Sequence, residues 1–265
     1  MMRFKKKYTQ YWEGAIKSPI DGLYIAGLKE VKTFLPLLKI GQNDKVLDLG
    51  CSYGRMYELL AEYSDYISGV DPDPYAVEKA RTNAYEHVYT GTAEKTGFDS
   101  KYFDVVFCWA VYDVVDQQKG LLELNRILKK GGRFLVTGKN NNYLHDDEFA
   151  YNAEKNAFLK DFPNHFTDLR MLVPNLHSFG FALDKLIIFP RRGDLGLLKY
   201  VEVDPALDEF LGYEYMILGH KVTEPEKVST KIDSPFSLTS QVIAIQKGYA
   251  TSSELFKSEG IYYEY

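Results

Sequence analysis

Apolar and polar positions alternate in blocks along the first part of the chain, and each block predicts one element. "DKVLDLG" at residues 44–50 is typical of a buried strand, and "YGRMYELLAEY" after it has the apolar spacing of an amphipathic helix. The same pair recurs in "DYISGVD" at 65–71 and "PYAVEKARTNA" at 74–84. "HVYTG" at 87–91 then predicts a short third strand.

The pattern continues with the most hydrophobic strand candidate, "YFDVVFCWAVY" at 102–112. A helix follows at 120–130 and ends at Gly131-Gly132, and "RFLVTGK" at 133–139 is the next strand. Strands that alternate with helices run parallel and have helices on both faces. The sequence therefore predicts an α/β three-layer sandwich with a mostly parallel, Rossmann-like sheet of seven strands. The helix at 120–130 has a predicted apolar face formed by Leu121, Leu122, Leu124, Ile127 and Leu128.

The N-terminal segment and the second half of the chain do not show this regular alternation of strands and helices. Residues 1–40 predict a helical cap, with Asp21 placed to cap a helix that ends near Pro36. In the second half, "TDLRMLVPNLHSFGFALDKLIIF" predicts a helix, a glycine turn and a strand. Residues 190–236 contain prolines and glycines and do not continue the alternation of strands and helices. They predict an insertion or lid before the last strand, "SLTSQVIAIQK". We expect a single domain over residues 1–265.

Composition narrows the class of protein. Of the 265 residues, 45% are hydrophobic and 26% are charged, which is ordinary for a globular protein, and the net charge of −5 disfavours nucleic acid as a partner. Cys51 and Cys108 have neither metal-ligand nor redox spacing, so we expect no metal site and a reducing, cytoplasmic compartment. The chain contains no apolar run of about 18 residues, so we expect no membrane span.

The break after the first strand, "VLDLGCSYGR", carries the first chemical signal. Small residues after a strand of an open α/β sheet let a ligand approach the backbone near a helix N-terminus. The dinucleotide fingerprint is G-x-G-x-x-G, whereas this chain has G-x-S-x-G and no third glycine. This segment therefore disfavours NAD and leaves open a ligand without a pyrophosphate, or a sheet with no nucleotide.

Four segments in order resemble the class I S-adenosylmethionine-dependent methyltransferases, of the type that acts on small molecules. They are "VLDLGCSYG", "GVDPDPYAVEKAR", "GTAEKTGFDSKYFDVVF" and "LLELNRILKKGGRFLVT". The resemblance extends from Asp44 to Lys139 and implies S-adenosyl-L-methionine as the cofactor. It departs from the family at Ser52, where glycine is usual, and at Thr92, where aspartate is common.

The resemblance also implies which residues bind the cofactor. Asp48 and the turn after it would hold the methionine part, Asp71 would accept both ribose hydroxyls, and residues 92–94 would lie at the adenine edge. Cys108 and Trp109 would reach the cofactor through backbone and ring, and Tyr11 would fold over it or belong to a docked helix. The full predicted set is Tyr11, Asp48, Gly50, Cys51, Ser52, Gly54, Asp71, Pro72, Thr92, Ala93, Glu94, Cys108 and Trp109.

Candidates for the methyl-acceptor side carry a weaker signal. Tyr112 and Asp113 follow the fourth strand, and Asp113 could orient the acceptor, act as a base, or cap the next helix. His145 follows the fifth strand, where it is either a base or a solvated loop histidine. Arg191 and Arg192 could bind a phosphate or carboxylate of the acceptor, or form a solvated turn.

Acceptor specificity is expected in residues 190–236, where Tyr213 is a further acceptor-binding candidate. The chain lacks the "DPPY" and "NPPY" motifs of enzymes that methylate amino groups of nucleic-acid bases. We therefore expect methyl transfer to an oxygen or nitrogen of a small polar metabolite, such as a sugar, sugar-phosphate or natural-product intermediate. The alternatives are an RNA or protein methyltransferase and a non-catalytic cofactor-binding module, in each case as a monomer or homodimer.

Overall fold

The computed structural model describes residues 27–144, 146–159, 164–204, 206, 210–228 and 230–235. Strands and helices alternate through the first half of this part of the chain. The strands are β1 Lys45–Leu49, β2 Tyr66–Asp71, β3 His87–Thr90, β4 Phe103–Cys108, β5 Leu128–Lys139, β6 His165–Thr167, β7 Phe181–Phe189, β8 Val201–Val203, β9 Glu214–Lys221 and β10 Asp233–Pro235. The helices are α1 Leu28–Phe34, α2 Tyr57–Ala61, α3 Pro74–Ala80, α4 Gln117–Ile127, α5 Glu148–Leu159, α6 Leu169–Asn175 and α7 Asp194–Leu197.

Eight of these strands form one sheet in the order β3-β2-β1-β4-β5-β9-β7-β8. Strands β1 to β5 are parallel to one another, whereas β9 pairs antiparallel with both β5 and β7. The prediction of an α/β fold with a mostly parallel, Rossmann-like sheet is confirmed. Two of the eight strands, β8 and β9, lie in the region predicted as an insertion, and the other six correspond to predicted strands. Strand β6 pairs with β10 in a separate two-stranded sheet.

The region predicted as an insertion contains a central strand. Within residues 190–236, β9 lies between β5 and β7, and most of its side chains are buried because both faces of the sheet are covered. A strand buried on both faces lacks polar alternation, so its sequence, "EYMILGHK", gave no period-two signal. The last strand predicted at 237–247 lies outside the described residues, and the lid role of the rest of 190–236 stays a prediction.

Apolar helix faces cover both sides of the sheet. Helices α4 and α6 pack Leu121 and Leu169 against one face, and α1 packs Phe34 against the other. The predicted apolar face of α4 is wrong at Leu122, which is exposed, because a helix over Gln117–Ile127 turns that position to solvent. Leu128 is buried but already belongs to β5. None of the helices in the described ranges is long and apolar enough to cross a membrane.

The helix after β4 begins later than Asp113. Asp116 is the N-cap of α4, and its side chain accepts a hydrogen bond from the Lys119 backbone N–H at 3.1 Å. Asp113 instead lies in a short 3-10 turn, Tyr112–Val114. Asp113 therefore does not cap this helix, and its carboxylate is available for other contacts. The predicted helix cap at Asp21 lies outside the described residues.

Candidate functional site

A cavity of about 350 Å³ opens at the carboxyl ends of β1 and β2. The strand order reverses here, because β2 and β3 lie on one side of β1 whereas β4 and β5 lie on the other. Ligands of open α/β sheets bind at this switch point. The cavity is therefore where the fold itself predicts a ligand. Its lining includes residues from the first three resemblance segments, among them Gly50, Asp71, Thr92 and Glu94.

The turn after β1 leaves room that side chains would fill. Gly50 has a φ of +82°, and a Cβ there would stand 2.2 Å from Cγ2 of Val111 on the opposite wall. Its backbone N–H donates to the Val70 carbonyl at 2.8 Å, which ties the turn to β2. Ser52 also has a positive φ, +48°, which disfavours side chains and gives a physical reason for glycine being usual there. Gly54, likewise at positive φ, closes the turn against Asn83.

Asp71 at the end of β2 is held by the backbone. One carboxylate oxygen accepts from the Ser52 N–H at 3.0 Å and the other from the Asp73 N–H at 2.9 Å. Burial raises the pKa of Asp71 to about 6, although both N–H donors oppose the shift. Each carboxylate oxygen can accept more than one hydrogen bond, so these contacts orient Asp71 and leave it able to bind ligand hydroxyls.

Asp48 lies within β1, two positions before the turn at Gly50. Its side chain is buried behind the turn, outside the cavity lining, and accepts a hydrogen bond from the Tyr85 hydroxyl at 2.8 Å. Burial raises the pKa of Asp48 to about 7. Tyr85 is a site residue that the sequence did not reveal, because it lies 37 positions away in an unpatterned loop. Asp48 therefore supports the turn from behind.

The loop after β3 and the first turn of α4 together form another wall of the cavity. Thr92 and Glu94 line it, and a Glu94 carboxylate oxygen accepts from the Asp116 backbone N–H at 2.8 Å. Asp116 and Lys119 also line the cavity and pair with each other. Neither residue was predicted to line the cavity, because in the sequence Asp116 resembles an ordinary helix cap and Lys119 a solvated lysine.

These observations fit the shape and chemistry of a nucleoside. The small turn at Gly50 lets a ligand reach the backbone, the Asp71 carboxylate suits a pair of hydroxyls, and Val70, Ala93 and Val114 provide apolar walls for a flat base. Among the other predicted cofactor residues, Pro72 lines the cavity. Cys51 and Cys108 are buried and do not line it. Trp109 stacks on Phe107 with ring centroids 5.9 Å apart, and Tyr11 lies outside the described residues.

A second polar group lies at the carboxyl end of β5. The Lys139 ammonium is 3.0 Å from an Asp113 carboxylate oxygen and 2.9 Å from one of Glu154 on α5. The Tyr213 hydroxyl donates to Glu154 and accepts from Arg192 at 2.9 Å. We call these five residues the Lys139 cluster. Burial disfavours the charged form of Lys139, but the surrounding anions outweigh it and hold its pKa well above the usual value.

The predicted acceptor-side residues are thus only partly brought together. Asp113, Arg192 and Tyr213 meet in the Lys139 cluster. The Tyr112 hydroxyl is instead buried and donates to the Gln117 carbonyl at 2.8 Å, and Arg191 forms a bidentate pair with Asp146 at 2.9 Å. His145 lies outside the described residues. Within the described ranges, no group of three or more histidine, cysteine or acidic side chains could hold a metal ion.

Comparison with known proteins agrees with this geometry. A family model described as "Methyltransferase domain" matches residues 47–136. The uncharacterized methyltransferase YcgJ of Bacillus subtilis is 31% identical over 133 residues, which are 48% of each chain. A ubiquinone biosynthesis O-methyltransferase of Coxiella burnetii is 23% identical over 54% of this chain and 62% of its own length. The chain therefore spans about half to two thirds of the length of these curated relatives.

Solved structures show the same fold. A methyltransferase from Thermotoga maritima, described as a possible histamine N-methyltransferase, superposes with a TM-score of 0.57 at 24% identity. The alignment covers 82% of this chain and 97% of that one. The structure of YcgJ aligns with a TM-score of 0.56 and 20% identity, over 74% of this chain and all of that one. The segment that matches the methyltransferase model contains the turn at Gly50, Asp71 and the loop after β3, and the described chain has the fold of these solved methyltransferases.

Proposed function

We propose that the protein is a methyltransferase that transfers the methyl group of S-adenosyl-L-methionine to an oxygen or nitrogen of a small polar metabolite. The observation that carries the proposal is the cavity at the switch point, with the Asp71 carboxylate fixed by two backbone N–H groups. The methyltransferase model that matches residues 47–136 supports S-adenosyl-L-methionine as the cofactor, and the lining of the cavity suits its nucleoside half.

Each residue of the cavity has a distinct task in this proposal. When bound, S-adenosyl-L-methionine supplies an electrophilic methyl group on a positively charged sulfur. Asp71 accepts hydrogen bonds from the ribose hydroxyls, and each such charged bond contributes about 1.5–3 kcal/mol. Gly50 lets the ligand approach the backbone, and Val70 with Val114 excludes water from the base. Asp48 and Tyr85 hold the turn in place from below.

The polar side chains of the Lys139 cluster favour a small polar molecule as the methyl acceptor. Val111 and Val114 line the cofactor cavity, and Asp113 between them pairs with Lys139, so the cluster adjoins the cavity. Positioning of two reactants contributes about 7–11 kcal/mol to a reaction barrier, whereas a general base contributes about 3–5 kcal/mol. We accordingly propose that Asp113, Arg192 and Tyr213 position the acceptor. Tyr112 acts as a support through its buried hydrogen bond, and His145 and Arg191 remain candidates for contacting the acceptor.

Calorimetric titration with S-adenosylmethionine, S-adenosylhomocysteine and NADH tests the proposal directly. We expect micromolar binding of the two sulfur ligands and no binding of NADH, because the turn lacks the third glycine of the dinucleotide fingerprint. If neither sulfur ligand binds, the proposal fails. Tight binding without methyl transfer to any acceptor would instead favour a non-catalytic module.

A further inference from the structure

Glu214, the first residue of β9, lies beside the Lys139 cluster. It is directly opposite Lys139 on β5, so both side chains lie on the same face of the sheet at the carboxyl end of β5. Asp113 and Glu154 in the cluster each pair with Lys139. In contrast, the Glu214 carboxylate makes no hydrogen bond or ion pair with any other residue that the structure describes.

The charges at this place do not balance. The Lys139 cluster together with Glu214 holds three carboxylates, those of Asp113, Glu154 and Glu214, but only two cations, Lys139 and Arg192. One negative charge is therefore in excess when all are ionised, and Glu214 is the carboxylate without a partner. A partly buried charge without a partner is unfavourable, so the site favours either a proton or a ligand cation at Glu214.

Glu214 lies on the open side of the cluster. Its side chain is partly exposed, whereas Glu154 is only 1% exposed and forms the floor. Asp113 connects the two sites, because its neighbours Val111 and Val114 line the cofactor cavity and its own carboxylate pairs with Lys139. A molecule that reaches Glu214 from solvent therefore lies next to the wall of the cofactor cavity.

Two buried polar atoms near the cluster also lack partners. The Tyr143 hydroxyl is buried without a hydrogen bond among the described residues, and its ring contacts that of Tyr213 with centroids 5.7 Å apart. The Oδ1 atom of Asn140, the residue after Lys139, is likewise buried and unpaired in this part of the chain. Buried polar groups are normally paired, so such orphans indicate a missing hydrogen-bonding partner.

We propose that Glu214 binds the protonated amine of the methyl acceptor and takes one proton from it, which makes this protein specific for amines. The N–H bond breaks, the proton goes to a Glu214 carboxylate oxygen, and the electron pair stays on nitrogen as the nucleophile. This inference rests on the proposed function and narrows its acceptor from oxygen or nitrogen to nitrogen.

The electrostatics of Glu214 are consistent with this role. Burial raises its pKa to about 7, with Lys139 and Arg192 opposing the shift and Asp113 and Glu154 adding to it. A base is most effective when its pKa is near the working pH. Tyr213, its neighbour in the chain, is fully buried and raised in pKa, so it stays neutral.

Binding of matched amines and alcohols to the protein saturated with S-adenosylhomocysteine tests the proposal. Each amine is titrated in parallel with the alcohol of matching shape. The pairs are benzylamine and benzyl alcohol, phenethylamine and phenethyl alcohol, ethanolamine and ethylene glycol, and glucosamine and glucose. We expect at least one amine to bind about tenfold or more tightly than its alcohol, the equivalent of one charged contact. Alcohols that bind as tightly as the amines, or no measurable binding of any amine, would overturn the inference.

The variant Glu214→Gln removes the charge and keeps the shape. We expect it to bind the preferred amine about 10- to 100-fold more weakly, with an unchanged affinity for S-adenosylhomocysteine. The control is Glu202→Gln on β8, which removes an exposed glutamate and should change neither affinity. An amine affinity in Glu214→Gln equal to that of the wild type would refute the role of Glu214.

The wild type alone provides a second measurement if Glu214→Gln does not fold. Amine affinity should fall as the pH is lowered through 7, by up to about tenfold per pH unit, because protonated Glu214 cannot pair with ammonium. A flat profile between pH 5.5 and 7.5 would contradict the inference. Failure of the wild type to bind S-adenosylhomocysteine would instead refute the proposed function itself.

Discussion

The cofactor cavity and the Lys139 cluster lie at the same edge of the sheet, yet they hold their carboxylates in opposite ways. In the cavity region, Asp71 accepts from two backbone N–H groups and Asp48 from a tyrosine hydroxyl. In the cluster, Asp113 and Glu154 instead meet the ammonium of Lys139. Neutral donors orient a carboxylate in one region, and a full positive charge neutralises it in the other.

The difference shows how each region can serve a ligand. Neutral donors leave the negative charge of Asp71 uncompensated, so its remaining lone pairs are available to hydroxyl donors of a ligand. The carboxylates of Asp113 and Glu154 already have a cation, so we expect the cluster to be rigid, and only the adjoining Glu214 carboxylate lacks a described partner. Removing a partner should therefore be costly in the cluster and milder in the cavity.

The largest expected effect is that of Lys139→Met. It leaves Asp113 without an ion pair among the described residues, and Glu154, which is 1% exposed, with Arg192 alone at 3.7 Å. Breaking a buried ion pair in this way costs about 3–5 kcal/mol in the free energy of unfolding, which denaturant unfolding would measure. The matched control is Lys185→Met, which removes a pair between the half-buried Lys185 and the exposed Glu202 and should cost less than about 1 kcal/mol. Equal losses in both variants would show that the cluster is hydrated.

Gly50→Ala should come next, with a loss of about 2–5 kcal/mol in unfolding free energy. The loss combines about 1–2 kcal/mol for a side chain at positive φ with about 1–3 kcal/mol for overpacking against Val111. In the Val111→Ala background only the strain at positive φ should remain, so Gly50→Ala should cost less there. If the cost is the same in both backgrounds, the close approach to Val111 is not what requires glycine.

The pH dependence of the unfolding free energy should reflect the raised pKa of Asp48. Its pKa is about 7 in the folded protein and near 3.8 when unfolded, so the folded state binds more protons between these values. Stability is thus full below pH 3.8 and is lost as the pH rises through 7. From pH 4 to pH 8, wild-type unfolding free energy should fall by about 2–4 kcal/mol relative to Asp48→Asn. Asp99→Asn, at an exposed site, should show no such difference.

The smallest effect in free energy should be that of Asp71→Ala on cofactor binding. We expect the affinity for S-adenosylhomocysteine to weaken by about 10- to 150-fold, through loss of one or more charged hydrogen bonds to ribose. Calorimetry measures this directly, and Asp65→Ala, at an exposed position, serves as the control. An unchanged affinity would remove Asp71 from the cofactor site.

The two regions also differ in how far the sequence revealed them. The turn at Gly50 and the acid at Asp71 follow consecutive strands, and parallel strands bring their carboxyl ends to one edge of the sheet. Their proximity was therefore predictable from local patterns. Even so, the position of Asp48 behind the turn was not, because its partner Tyr85 lies on a loop without a pattern.

The Lys139 cluster could not be assembled in this way. Lys139 and Glu154 are 15 positions apart, and Tyr213 and Glu214 follow much later, on a strand that was predicted as part of an insertion. Only the antiparallel pairing of β9 with β5 places Glu214 opposite Lys139. Charged residues in a sequence of mixed composition are usually solvated, so no local signal separated these from the others.

The sequence by itself determined the fold class, the strand-turn-helix units and the carboxylate at the end of β2, because these depend on periodicity and turn chemistry within a few residues. The tertiary structure decided which of the other acids are buried, which form an ion pair, and that the Glu214 carboxylate forms none with the described residues. Burial and charge pairing depend on contacts between distant strands, and those contacts exist only once β9 takes its place between β5 and β7.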